Sequence, residues 1–286
     1  MHNASSSGLI ARSLRYPRVL TIAGSDSGGG AGIQADLKTF SALGCFGMSA
    51  ITALTAQNTM GVRAIHPVPL DMLEAQIAAV VEDIGVDAVK IGMLHSSATV
   101  RSVAAALDRH GLKQVVFDPV MVATSGATLI DREAIAVLVD MMFPRALLIT
   151  PNLDEAALLV GRPLASESDM EAAAQQLLTM GARAVLLKGG HLAGDQVSDL
   201  LLTPGAGPLW MRAPRLHSAN THGTGCTLSS AIASHLALGA ALPEAVALAR
   251  DYVRGALEAG AAVRTGEGSG PLNHGWQPVV TRTFAL

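Results

Sequence analysis

The segment Asn220-Thr221-His222-Gly223-Thr224-Gly225-Cys226-Thr227 is the sharpest candidate for chemistry in the chain. It is a glycine-rich turn entering a stretch rich in Ala and Ser. Free backbone N–H groups at a helix start, together with the helix dipole, hold anions. Gly223, Thr224 and Gly225 are therefore candidates for an anion hole. Cys226 falls in the first helical turn, where the dipole lowers a thiol's pKa and makes it a candidate acid or base; the competing reading is a structural cysteine. His222 reads as a turn residue, and Cys45, between Gly44 and Phe46, as core.

A second glycine-rich loop, Gly24-Ser25-Asp26-Ser27-Gly28-Gly29-Gly30-Ala31-Gly32, follows an apolar run and opens a helix, so a ligand can approach its backbone closely. It matches neither the P-loop nor the dinucleotide fingerprint. A merely tight turn is the alternative. On the helix that follows, Ile33, Leu37, Phe40 and Leu43 share one face at about 3.6-residue spacing, and Asp36 falls within the same arc. An unpaired buried charge costs several kcal/mol, so Asp36 is expected to meet a ligand or partner, or to favour the helix start. Lys38, on the opposite face, reads as solvated.

Further candidates stand where apolar runs end. Thr55-Ala56-Gln57-Asn58-Thr59 offers amides, and the Gln57 amide can donate and accept at once, matching an amino group beside a ring nitrogen. A capping or turn amide is the alternative. Lys90-Ile91-Gly92-Met93-Leu94 places Met93 as core filler or as a soft contact for an aromatic ring. Asp118-Pro119-Val120-Met121 precedes a small polar loop, Ala123-Thr124-Ser125-Gly126, and Asp118 can face a metal or phosphate there. In Thr150-Pro151-Asn152-Leu153-Asp154-Glu155, Asn152 and Glu155 share a helix face and suit the water shell of Mg²⁺; the same spacing is close to a capping box. Lys188-Gly189-Gly190-His191 sets an ammonium beside two glycines, suiting a phosphate, with a solvated lysine as the alternative.

The elements that must position these residues alternate. Strands are expected over Val19–Ala23, Met48–Ala56, Ala88–Met93, Gln114–Asp118, Ala146–Thr150 and Ala184–Lys188, separated by longer helical patterns. Runs that are apolar on consecutive positions suit a parallel sheet covered on both faces, so the expected fold is a three-layer α/β/α sandwich. Gln196–Arg212 reads as a hairpin at the sheet edge, and helices are expected over Thr224–Leu238 and Pro243–Ala262.

Of the 286 residues half are apolar and 15% charged, enough for one large domain, expected over 18–286 behind a flexible tail over 1–17. A net charge of -3 and an aromatic content of 3% argue against nucleic acid as a partner. Two cysteines form no metal-ligand cluster or disulfide framework, which fits a reducing cytosol. No run approaches the roughly 20 apolar residues that cross a bilayer, and Met1–Pro17 lacks the apolar core of a secretory signal. A cytoplasmic protein with no membrane partner is expected.

Taken in order, G-S-D-S-G-G-G-A-G-I-Q-A-D-L-K-T, T-A-Q-N-T, K-I-G-M-L, D-P-V-M, T-P-N-L-D-E, K-G-G-H and T-H-G-T-G-C-T resemble the hydroxymethylpyrimidine/phosphomethylpyrimidine kinases of thiamine biosynthesis, within the ribokinase-like superfamily. The resemblance runs from about Val19 to His274. It implies a pyrimidine site lined by Asp36, Gln57, Met93, Val120 and Gly24, and an anion hole of Gly223, Thr224, Gly225 and Cys226, with Cys226 as base. It also implies ATP and Mg²⁺ as cofactors, with Lys188, Asn152, Thr221 and Gly225 toward ATP, Asp118 and Glu155 toward the metal, and a homodimer. The loop reads S-D-S-G-G-G where many relatives have a proline before the glycines, a difference that bears on loop stiffness. A pyridoxal kinase of the same superfamily and a non-catalytic pyrimidine sensor are the alternatives.

Overall fold

A computed structural model describes residues 13–121 and 132–285. The expected loop Ala123–Gly126 lies outside the described residues. The chain runs β1 (Leu14–Arg15), β2 (Arg18–Ala23), α1 (Gly32–Ala42), β3 (Phe46–Ile51), β4 (Ala53–Asn58), β5 (Gly61–Pro67) and α2 (Leu70–Ala79). It continues β6 (Ala88–Ile91), α3 (Ser97–Arg109), β7 (Val115–Phe117), α4 (Arg132–Met142), β8 (Leu148–Ile149), α5 (Leu153–Val160) and α6 (Glu167–Thr179). The last elements are β9 (Val185–Leu187), β10 (Gln196–Leu202), β11 (Leu209–Pro214), α7 (Thr224–Ala237), α8 (Leu242–Gly260) and β12 (Phe284–Ala285).

Eight strands form one sheet in the order β11-β10-β9-β8-β7-β6-β2-β3. Pairing is parallel from β9 to β3, and the β10–β11 hairpin adds antiparallel strands at one edge. Leu20, Ile22, Val89 and Phe117 pack on one sheet face against α2 to α6. Val19, Ala88, Val116 and Leu186 pack on the other against α1, α7 and α8. Consecutive strand residues thus bury on opposite faces, which is why V-L-T-I-A carries no polar alternation. The three-layer α/β/α architecture, the edge hairpin and the two closing helices agree with the sequence.

One strand does not. The run expected as Met48–Ala56 breaks at Thr52: β3 stays in the sheet, while β4 leaves it and pairs with β5 as a separate hairpin. Thr52 is pinned at the break, its N–H donating to Ala23 O and its Oγ1 to Met93 O. Beyond it the chain is too exposed to be a central strand, and Asn58 Oδ1 accepts Met60 N–H in the turn. The end of the expected tail also has structure. Leu14 and Arg15 pair with Ala285 and Phe284, Arg15 reaches Asp87, and Tyr16 stacks on Phe46. Local charge and aromatic contacts order these positions although their sequence has no periodicity. Among the described residues no helix is long and apolar enough to cross a membrane.

Candidate active site

A cavity of about 780 Å³ lies at the carboxyl ends of β2, β6, β7 and β9, the edge of a parallel sheet where ligands bind. Gly24, Gln57, Met93 and Val120 line one part of it. Gln57 arrives there because the β4–β5 hairpin bends over the glycine loop: Ser27 Oγ donates to Gln57 O at 2.7 Å and accepts from Gln57 N at 2.8 Å. The second glycine turn closes against the first. A Cβ on Gly223 would fall 1.8 Å from Gly30 O, and its φ of 83° is left-handed, so only glycine fits.

Asp118, Asn152, Glu155, Lys188, Thr221, Thr224 and Gly225 line the remainder with Cys226. Lys188 Nζ donates to Asp118 Oδ1 at 2.9 Å and stands 4.0 Å from Glu155 Oε2. Burial opposes its charge, but Asp118 and Glu155 outweigh burial and raise its pKa. A Cβ on Gly225 would sit 3.2 Å from Lys188 Nζ, so the Gly223–Gly225 turn passes close beside this ammonium. Asn152 and Glu155 form a full capping box: Glu155 N–H donates to Asn152 Oδ1 and Asn152 N–H to Glu155 Oε2. The capping-box reading of the pair is thus present, and Asn152 and Glu155 line the cavity as well. Burial, with Asp118 adding to it, pushes Glu155 up to about 7, against the opposing pull of Lys188.

Two carboxylates sharing one ammonium leave this corner short of positive charge, which fits a cation. Among the described residues no three His, Cys, Asp or Glu side chains converge as a cage. Asp118 and Glu155 are hard oxygen donors, the donor type that suits Mg²⁺.

Two expectations are corrected. Asp36 does not reach the cavity. It is fully buried, takes hydrogen bonds from Lys90 Nζ at 2.9 Å, Thr21 Oγ1 at 2.6 Å and Ser230 Oγ at 2.7 Å, and so meets a protein partner in place of a ligand. Cys226 does line the cavity, yet its thiol is not lowered. Burial pushes it up to about 11; Lys90 and the Gly32 N–H oppose this, and Asp36 and Asp118 add to it.

Sequence reasoning passed over Asp26 and His222, both of which line the cavity. Asp26 accepts N–H bonds from Gly28 at 2.8 Å, Gly30 at 3.1 Å and Ala31 at 2.8 Å, and His222 Nε2 lies 2.8 Å from its Oδ2. Burial alone would raise the Asp26 pKa, but His222 and the Ala31 and Gly28 amides lower it. An aspartate two residues before a glycine run is a turn signal that could have marked the first residue. Nothing local marks the second. Arg215 was also missed: its guanidinium donates to Gly190 O and Gly194 O and braces the loop after Lys188.

Residues 26–273 match the profile of a family described as phosphomethylpyrimidine kinase. The thiamine biosynthesis bifunctional protein ThiED of Geobacter sulfurreducens is 53% identical over 269 residues, covering 93% of this chain and 54% of that protein, so the chain spans about half of its length. The hydroxymethylpyrimidine/phosphomethylpyrimidine kinase of Rhizobium meliloti is 51% identical over 258 residues, covering 89% of this chain and 96% of the relative. Among solved structures, the ADP complex of Bacillus subtilis pyridoxal kinase superposes with a TM-score of 0.85 at 36% identity, covering 92% of this chain and 98% of that one.

Proposed function

The chain belongs to the phosphomethylpyrimidine kinase family, and on that premise we propose that it phosphorylates 4-amino-5-hydroxymethyl-2-methylpyrimidine with ATP and then its monophosphate, giving the diphosphate for thiamine biosynthesis. The fold is ribokinase-like. The observation that carries the proposal is the continuity of one cavity from Gln57 and Met93, past the Cys226 turn, to Lys188 and Asp118. An acceptor alcohol and a phosphoryl donor can meet there without crossing solvent.

In this reading the Gln57 amide matches the amino and ring-nitrogen edge of the pyrimidine, and Met93 and Val120 bound its ring. The backbone N–H groups of Gly223, Thr224 and Gly225 take the transferring phosphoryl oxygens, beside Lys188. Asn152 and Thr221 border the nucleotide phosphates. Phosphoryl transfer is loose, so positioning and charge stabilisation carry most of the catalysis and the acceptor proton departs late. Cys226 stands where that proton leaves. At neutral pH its ground state is the thiol, so it acts as base only through its thiolate fraction. Asp118 and Glu155 are the residues that would hold Mg²⁺, which supplies charge neutralisation on the phosphate oxygens when bound. The same reading takes the chain as one kinase domain, to which Leu14–Tyr16 are joined through Ala285, Asp87 and Phe46, cytoplasmic and homodimeric.

The structural likeness to a pyridoxal kinase makes pyridoxal the competing acceptor. Steady-state kcat/KM on the two alcohols decides: the aminopyrimidine should be preferred, and a preference for pyridoxal would replace the assignment. ATP consumption that depends on the pyrimidine excludes a non-catalytic sensor.

A further inference from the structure

The side chain of Gln57 has one polar neighbour of its own among the described contacts. Its amide nitrogen stands 3.5 Å from His222 Nε2, the same ring nitrogen that lies 2.8 Å from Asp26 Oδ2. Asp26 is almost wholly buried, already accepts three backbone N–H bonds, and its pKa is lowered, so it is an acceptor only. His222 Nε2 must therefore carry a hydrogen to face it, whatever the state of Nδ1. An N–H facing Asp26 cannot also accept from an amide N–H. The neighbouring atom of Gln57 that suits His222 Nε2–H is the oxygen, and an amide's two ends are distinguished only by their hydrogen-bond partners. The ring itself has little freedom to turn away. It packs against Gly30, where an added Cβ would fall 2.5 Å from His222 Cδ2, and the His222 backbone N–H donates to Gly270 O at 3.1 Å.

We propose that His222, held by Asp26, is a positioning residue that fixes which way the Gln57 amide points and thereby selects acceptors by the donor and acceptor pattern of their edge. With Oε1 turned to His222, the amide avoids setting its N–H against the Nε2–H that Asp26 accepts, and Oε1 keeps a lone pair for an amino group while the NH₂ faces a ring nitrogen. An acceptor with an oxo group in place of the amino group, and hence an N–H in the ring, presents the reverse pattern. It could be met only by a flipped amide, whose NH₂ would then oppose His222 Nε2–H. The inference deepens the proposed aminopyrimidine kinase reading and rests on it.

The test compares kcat/KM for 4-amino-5-hydroxymethyl-2-methylpyrimidine and its 4-oxo analogue in the wild type, His222→Phe and His222→Gln. Phenylalanine keeps a ring against Gly30 and removes the N–H; glutamine keeps an N–H donor without the ring. The amino-over-oxo preference should fall about tenfold or more in His222→Phe, the scale of one lost or mispaired hydrogen bond, with the KM for ATP within about twofold. Most of the preference should survive in His222→Gln. Equal losses on both acceptors in His222→Phe, or a loss of preference in His222→Gln equal to that in His222→Phe, would show packing alone and overturn the inference. A wild type that phosphorylates the amino acceptor with no preference over the oxo analogue would also overturn it while leaving the proposed function standing. A wild type inactive on the amino acceptor would remove both.

Discussion

Lys188 Nζ lies 2.9 Å from Asp118 Oδ1 and only 4.0 Å from Glu155 Oε2, so one ammonium balances two buried carboxylates, one just after β7 and one in the first turn of α5. Neither Asp118 nor Glu155 can be removed without changing the charge balance of the other.

Glu155 titrates near 7 in the fold against an ordinary value of 4.5. Its ionisation is disfavoured by folding, so the contribution of this one group to stability is fullest below 4.5, declines as pH rises through 7 and is level above that. Glu155→Gln retains the helix cap and removes the titration. Urea midpoints from pH 5 to 8 should decline in the wild type by the equivalent of about 1 kcal/mol or more, while the variant's profile flattens over that range. Parallel profiles would return the carboxylate to an ordinary pKa.

The Asp36–Lys90 pair has no solvent at either side chain. Asp36→Ala should therefore cost about 3 to 5 kcal/mol in unfolding free energy, because it strands a buried ammonium. Replacing both residues with apolar ones of similar volume should recover much of this. An Asp36→Ala protein of wild-type stability with selectively weakened acceptor binding would restore the ligand role that the sequence suggested.

Much of this architecture was legible because apolar strands ending in polar residues and glycines report both a parallel sheet and its ligand edge. What was not legible depends on distance along the chain. Asp36 shows its place on an apolar helix face, but its partner Lys90 is 54 residues away, inside a strand. Asp26 and His222 are separated by 196 residues. The Cys226 thiol was misjudged because a helix start is visible in sequence, whereas the burial and the two carboxylates that act on it exist only in the fold. The break at Thr52 was missed because β3 and β4 are both β-rich and only the sheet decides where one stops.

Gln57→Leu removes the amide from the cavity wall. The acceptor KM should rise about 10- to 100-fold, the equivalent of roughly 1 to 3 kcal/mol for unpaired polar groups, with ATP affinity unchanged. Unaltered acceptor affinity would remove Gln57 from the site.

Cys226, with a thiol near 11, should give a wild-type kcat that climbs with pH above neutrality as thiolate accumulates. Cys226→Asp should lack that climb, and Cys226→Ala should lose roughly 10²-fold in kcat. Alkylation of Cys226 by iodoacetamide, mapped by peptide to separate it from Cys45, should accelerate over the same range and be slowed by bound pyrimidine. Wild-type turnover in Cys226→Ala would leave the turn as an anion hole alone.

The central claim is tested most directly by mass spectrometry of the products formed with Mg²⁺, ATP and 4-amino-5-hydroxymethyl-2-methylpyrimidine over time. The account predicts a monophosphate that rises first and is then consumed as a diphosphate appears, with ADP formed in step with each transfer. Absence of any phosphorylated pyrimidine, while pyridoxal is phosphorylated under the same conditions, would contradict it.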